Sequence, residues 1–490
     1  MQIVKERTRL IISEYSPGDK KEIENKVASM DNIFMYVDPD KDIICVPTGM
    51  ENTLKQMFPD TEFIDNSAEY WDYARITPVS HNAKPRNQLQ IDFINFVIEK
   101  AKNKEKLAGI LSPGTGKTFM SCYSAIVVGA RTLIIAPTSS IKDQWEETLV
   151  KMFEVPAARV LNVKSPKDFF RVTADFVVIS QASLQSLNKT YDLERIIKDN
   201  KFGIKIIDEV QMWFKNIINV DASSNIAHNW YLTGTFGRSG DDENRLYHEM
   251  FGDLAIFEEK QKKATIWNPK PGNVYGMKPY IYTTMIWTHA GLSQKDIKEV
   301  TNSMRYSERE GKWVRYGISM PAYTNKIIPP DGRKTKYIQI LLNIVQRSYK
   351  EVNYGRTLIL VGTIAATEVI AKYVSKLFPD KKVGTYHSEN TKELNAKNKL
   401  ECDIVVSTTQ SAGTGFDMKD LSRLILSANM KSWILATQCV GRLRRRPDGK
   451  DCYCWDIVDA DIKQLRAWAK VRAETVRKMS KKFTVVNYDI

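Results

Sequence analysis

Gly114, Thr115, Gly116, Lys117 and Thr118 follow the apolar run KLAGIL and lead into FMSCYSAIVV, which reads as a helix. Glycines, a lysine and a hydroxyl in that order, between a strand and a helix, are the parts of a phosphate-binding loop. The glycines let backbone N–H groups turn inward, the lysine sets a point charge on β and γ oxygens, and the threonine hydroxyl can ligate Mg²⁺. Pro113 belongs to the same turn. Leu111 stands where the GxxxxGK[ST] pattern opens with glycine; it falls at the end of the strand, away from the phosphates, where a side chain is tolerable. A second group of residues closes the run FGIKIIDEVQ, where Asp208 and Glu209 sit at the tip of an apolar strand. Beside a phosphate loop, Asp208 is expected to hold Mg²⁺ and Glu209 to orient or deprotonate the attacking water. A third is QCVGRLRRR, which spaces Gln438, Gly441, Arg442 and Arg445 as QxxGRxxR. Arginines supplied from another domain can neutralise charge on a γ-phosphate in the transition state.

These residues need a scaffold that delivers strand ends to one edge. From Gln88 onward helical and strand signals alternate: IDFINFVIEKA, KLAGIL, FMSCYSAIVVG, RTLIIAP, then ADFVVIS, FGIKIIDE and NWYLTGT. Short apolar runs ending in small or polar residues are strands of a parallel sheet covered on both faces, with sites at their carboxyl ends. A second α/β series begins near residue 335 with YIQILLNIVQRSY and runs through RTLILVG, KKVGTYH, CDIVVSTT, LSRLILS and CYCWDIVD. Residues 1–80 read as a small α/β domain, 84–235 as the first large unit, 236–334 as a connecting segment without clean period, and 335–490 as the second unit with a basic C-terminal helix.

A chain of 490 residues predicts two or more domains. Hydrophobic residues at 43% supply material for buried sheets, and no run approaches the ~20 apolar residues of a membrane span. The charged N-terminus MQIVKERTRL is unlike a signal peptide, so the expected location is the cytoplasm, without membrane association. Six scattered cysteines read as reduced thiols, and the histidines offer no zinc pattern. An excess of 72 Lys+Arg over 58 Asp+Glu, a net charge of +14, suits a polyanionic partner or a merely basic enzyme. In MRYSEREGKWVRYG, Arg305, Arg309, Lys312 and Arg315 interleave with Tyr306, Trp313 and Tyr316; this is either a strand-engaging surface or a half-buried hairpin. The tail LRAWAKVRAETVRKMSKKF, with Arg466, Arg472, Lys481 and Lys482, is either a duplex-facing helix or one docked on the second unit.

Taken in order, the segments resemble the motifs of superfamily 2 helicases and translocases over about residues 84–460. SPGTGKT resembles motif I, APTSSIKDQW motif Ia, VVISQASL the motif after it, DEVQ the DExH-type motif II, LTGT motif III, STTQSAGTGFD motif V and QCVGRLRR motif VI. The nearest likeness is to phage UvsW-type helicases, with a more distant one to viral helicases that release transcripts. Two departures stand out: Gln211 replaces the histidine of DEAH-type proteins, and PRNQLQ only loosely resembles the adenine-reading segment, leaving Gln90 or Gln88 as its glutamine.

The resemblance implies two RecA-like doubly wound parallel-sheet domains beside the small N-terminal α/β domain. It also implies ATP and Mg²⁺ as cofactors and an ATP hydrolase acting as a monomer on single-stranded, duplex or branched DNA, with RNA possible. The expected setting is replication, recombination or repair in a bacterial cytoplasm if the protein is phage-encoded. It assigns Gly415 and Asp417 to the nucleotide, and Gln438, Arg442 and Arg445 to catalysis. Gln211, Thr233 and Thr235 would couple nucleotide to movement, and Thr138, Ser139, Ser180, Gln181, Thr408, Gly413, Trp313 and Arg315 would contact nucleic acid.

Overall fold

The computed structural model describes residues 1–27, 35–38, 40–111, 114–212, 214–234, 253–258, 280–307, 312–413, 416, 418–443, 446, 448 and, without gaps, on to 488. They fall into two compact units, Met1–Pro269 and Lys270–Ile490.

In the first unit, seven parallel strands run in the order Ala255–Glu258, Leu107–Ile110, His228–Thr233, Ile204–Ile207, Thr132–Ala136, Phe176–Ser180 and Val160–Asn162. The five central strands are buried along their whole length. That is why they read as mainly apolar runs and not as alternation. Neighbouring residues nevertheless serve different cores: Leu133 and Ile135 pack into one cluster, Ile134 and Ala136 into the other. Side chains leave a strand on alternate faces, so both faces must be covered, which the doubly wound expectation requires. One face lies under the helices Gln88–Lys102 and Lys117–Val128. On the other, the cluster continues into the N-terminal residues Ile3, Leu10, Ile12 and Ile44.

Those N-terminal residues belong to a mixed five-stranded sheet ordered Tyr36–Asp38, Ile43–Pro47, Arg9–Ser13, Gln2–Lys5, Glu62–Asp65, with helices Pro17–Val27 and Glu51–Met57. The sheet is bound to its neighbour by polar contacts as well. The Thr8 hydroxyl is within hydrogen-bond distance of the carbonyls of Asp221 and Ser224, at 2.9 and 2.8 Å. Arg9 donates to the carbonyl of Ala222 and to Glu194.

The second unit holds another seven-stranded parallel sheet, ordered Val383–Tyr386, Ile404–Thr408, Arg356–Val361, Leu421–Leu426, Cys452–Asp459, Ile281–Thr288, Ser480–Tyr488. Here too Ile359 and Val361 face one core and Leu358 and Leu360 the other.

Three details differ from the sequence reading. The segment 236–334 supplies a strand to each large sheet, Ala255–Glu258 beside Leu107–Ile110 and Ile281–Thr288 beside Cys452–Asp459. The basic tail is helical over Lys463–Met479 but then turns into the edge strand Ser480–Tyr488, so Lys481 and Lys482 lie on a strand. Arg472 is fully buried, bonded through two nitrogens to Asp456 at 2.9 Å each. Ser303–Ser307 and Lys312–Gly317 form an antiparallel hairpin. All six cysteines are buried free thiols, and among the described residues no helix is long and apolar enough to cross a membrane.

Candidate functional site

The strand Leu107–Ile110 delivers Leu111 to the carboxyl edge of the first sheet. Leu111 is fully buried, and its N–H donates to the carbonyl of Thr233 at 2.9 Å. Its side chain joins the core beneath the helix Lys117–Val128, which is why leucine serves where the pattern expects glycine. Pro113 lies outside the described residues. The two glycines after it both take positive φ, 84° at Gly114 and 98° at Gly116. At Gly116 the requirement is doubled, because a Cβ there would meet the Gln90 amide nitrogen at 2.5 Å.

Gln90 is itself fully buried. Its amide donates to the Thr115 carbonyl at 2.8 Å and accepts from the Arg86 N–H at 2.8 Å. Asn87, which caps the helix Gln88–Lys102, accepts from the Gln90 N–H. Gln90, the candidate for the adenine, thus also ties the loop to a helix start, and the exposed Gln88 bonds to Asp92. Past Gly116 the helix begins at Lys117, with Thr118 half-buried in its first turn. Unpaired N–H groups and the positive end of the helix dipole make such a terminus an anion site.

Facing the loop, the strand Ile204–Ile207 ends in Asp208 and Glu209. Asp208 is 4% exposed. Each of its carboxylate oxygens is given a donor, Oδ2 by the Trp145 indole N–H and Oδ1 by the Glu209 N–H, both at 3.0 Å. Burial, and after it the Glu209 charge, push the Asp208 carboxyl up to about 6 in spite of Lys117. Glu209 has φ 50°, a left-handed backbone rare outside glycine and common at functional turns. Its Oε1 lies 3.2 Å from Lys117 Nζ, which also donates to the Leu111 carbonyl at 3.3 Å. Lys117, Asp208 and Glu209, separated by about ninety residues in sequence, thus share one strand-end edge.

The other expected residues of this unit line the same carboxyl edge with differing access. Thr138 caps the helix Ser139–Glu147 by accepting from the Ile141 N–H, and Ser139 is exposed. Ser180 caps the helix Gln181–Thr190 and is 6% exposed, while Gln181 is buried at 2% and both its amide atoms lack a protein partner. Thr233 is buried at the end of its strand. Gln211 lies in the turn Val210–Met212, without a described side chain, and Thr235 lies outside the described residues.

In the second unit Thr408 ends the strand Ile404–Thr408, bonds to the Ser411 hydroxyl at 2.9 Å and precedes the short helix Thr409–Gly413. The half-buried Gln438 lies on the helix Trp433–Val440, and Arg442 just after it donates to the Phe416 carbonyl at 3.0 Å. That bond ties QCVGRLRRR to the STTQSAGTGFD segment. Gly415, Asp417 and Arg445 lie outside the described residues, as do the side chains of Trp313 and Arg315, which stand on the hairpin strand Lys312–Gly317; Gly413 ends the helix Thr409–Gly413.

Residues 83–237 match the family described as type III restriction enzyme, res subunit. A protein of invertebrate iridescent virus 6, named as a helicase, is 25% identical over 373 residues, 71% of this chain and 70% of its own length. The motifs, their strand-end placement and these matches agree. In motif order and in these matches the chain is similar to superfamily 2 helicases. Transcript termination protein A18 of myxoma virus is 22% identical over 73% of this chain and 68% of its own. Among solved structures, an HsdR subunit fragment of a type I restriction enzyme from Vibrio vulnificus YJ016 aligns over 84% of this chain and 70% of its own at 15% identity, with a TM-score of 0.53, a likeness of fold. T4 UvsW aligns over the whole of both chains at 12% identity with a TM-score of 0.32, too low to carry the likeness further.

One residue of the site escaped the sequence reading in its role. Trp145 closes APTSSIKDQW, and its signal was an aromatic one heptad after the cap Thr138, on the face that a strand-borne helix buries.

Proposed function

We propose that the protein is an ATP-driven motor on nucleic acid that remodels branched or duplex DNA, with Lys117, Asp208 and Glu209 as its hydrolytic centre. The observation that carries the reading is the convergence of these three groups on a glycine loop at a helix N-terminus. A Mg²⁺ ion fits the donor set. Among the described residues no three His, Cys, Asp or Glu side chains converge on one point, and Mg²⁺ asks for only one or two carboxylates together with substrate phosphates. Asp208 and Thr118 would hold it, and its charge would offset the cost of ionising a buried carboxyl. When bound, it supplies charge neutralisation on the phosphates.

The chain's own groups do the rest. Backbone N–H groups of Gly114 to Thr118 receive phosphate oxygens, and Lys117 exchanges its Glu209 partner for them. Released from that ion pair, Glu209 can accept a proton from the attacking water. Gln438, Arg442 and Arg445 act on the same nucleotide in this reading, and Gln211, Thr233 and Thr235 relay its state. Thr138, Ser139, Thr408, Gly413 and the Trp313–Arg315 hairpin strand meet the nucleic acid. Ser180 and Gln181, at the start of the next helix, complete that surface in this reading.

A second reading, a duplex translocase that displaces transcripts or proteins without parting strands, draws on the transcript termination protein among the relatives. Both are tested by steady-state ATPase without nucleic acid and with single-stranded DNA, duplex, forked DNA and RNA, run beside a strand-displacement assay. Forked-DNA stimulation with strand displacement is expected; stimulation by duplex without displacement selects the second reading. Equal turnover in every arm would remove the motor.

A further inference from the structure

Of the two tryptophans fully buried among the described residues of the first unit, Trp230 has an indole N–H without a partner, so the fold tolerates one unpaired indole. Trp145 is treated differently. It has no exposed surface and packs in one cluster with Phe119, Met120 and Cys122 of the helix that follows the phosphate loop. Its Nε1–H reaches Asp208 Oδ2 at 3.0 Å. The indole ring is held by the helix Ser139–Glu147, whose cap Thr138 stands at the carboxyl end of the strand Thr132–Ala136, beside Ile204–Ile207 in the sheet.

We propose that Trp145 is a positioning residue: its indole N–H fixes the Asp208 carboxylate in the orientation that receives the metal, and makes the helix Ser139–Glu147 part of the nucleotide site. The geometry supports this in two ways. Asp208 rests on a short side chain with one soft torsion beyond χ1, so two donors, one on each oxygen, are enough to determine the plane of the carboxylate. The Glu209 donor is backbone and follows the strand wherever it goes. The Trp145 donor comes from a separate element, so it is the one that sets the carboxylate relative to the loop-bearing helix it packs on. A hydrogen bond to a charged group in a dry site is also among the stronger ones a side chain makes.

The proposal rests on the reading that Asp208 holds Mg²⁺, so the test separates the two. Equilibrium binding of a fluorescent, non-hydrolysable ATP analogue is measured with MgCl₂ and with EDTA on the full chain, on Trp145→Phe and on Asp208→Asn. Trp145→Phe keeps an aromatic ring and removes the donor; the expected result is a loss of about tenfold in affinity with Mg²⁺ and a change within about twofold in EDTA. Equal losses in both buffers, or none in either, would overturn the positioning role. If Asp208→Asn keeps the full Mg²⁺ enhancement, the metal assignment itself falls. Should Trp145→Phe fail to fold, the wild-type chain labelled with ¹⁵N-tryptophan answers instead. Mg²⁺ added to the analogue complex should shift an indole N–H resonance, and a spectrum in which none moves would overturn the proposal.

Discussion

In the proposed mechanism the Lys117–Glu209 ion pair is made at rest and exchanged when nucleotide binds. At 3.2 Å and largely buried, the pair keeps an ammonium and a carboxylate from being stranded in a dry pocket. Glu209→Gln should therefore still bind ATP, since Lys117 and Asp208 survive, but turn over about 10²- to 10⁴-fold more slowly, the usual contribution of a general base. Nucleotide binding and single-turnover hydrolysis measured on one sample would show the split, and loss of binding would refute it. Asp208 makes a prediction about stability. Its folded pKa, about 6, lies above the ordinary aspartate value, so without metal the native state holds a proton that the unfolded chain releases between pH ~4 and ~6. The stabilisation is full below that window and lost as pH rises through it. Asp208→Asn, which never ionises, should raise the melting temperature of the metal-free protein at pH 8, and the gain over wild type should vanish near pH 4. A constant difference across that range would mean that Asp208 ionises without cost.

At the level of elements, the helix Lys463–Met479 shows what a basic sequence can conceal. Its cationic residues were open to a duplex-facing role, yet Arg472 points inward to Asp456 on the strand Cys452–Asp459 and to the carbonyl of Met430, with neither member of the ion pair exposed. Breaking such a pair leaves a buried charge unpaired, at a cost of about 3–5 kcal/mol. Arg472→Met should accordingly move the urea midpoint of the second unit downward, and adding Asp456→Leu should recover most of the loss. A single substitution that leaves the transition in place would show that water reaches Asp456. The same helix also shows why the tail was only half legible. Spacing of apolar residues marks a helix as far as Met479, but the switch to the strand Ser480–Tyr488 depends on its partner Ile281–Thr288, nearly two hundred residues earlier in the chain. Strand pairing is a property of two segments, and a window of one cannot report it.

For the whole molecule, the unit boundary near Pro269 implies a different dissection from one drawn at residue 334. A fragment ending at 334 would carry Ile281–Thr288 away from its two partner strands, whereas 1–269 keeps every strand of the first sheet and the N-terminal sheet whose apolar residues share its core. Fragment 1–269 should fold and bind ATP, yet hydrolyse it barely above background, since Gln438, Arg442 and Arg445 lie outside it. Circular dichroism and ATPase on the same preparation would check this; nucleic-acid-stimulated turnover by the fragment would mean that the second unit's arginines are dispensable. What the sequence by itself determined was whatever is local. The strand runs KLAGIL, RTLIIAP and FGIKIIDE announce themselves because burial on both faces favours apolar residues, the few buried polar ones such as Lys205 being paired. The loop Gly114 to Thr118 is visible because its chemistry lies in five consecutive residues. Tertiary structure alone decided what depends on which segments meet. It placed Gln90 on the Thr115 carbonyl, Trp145 on Asp208, Arg472 on Asp456 and the residues of the presumed connecting segment in both sheets. The physical reason is common to all four: a side chain or a strand's backbone shows its donors and acceptors in sequence, but the partner that satisfies them when buried is chosen only when distant segments are packed together.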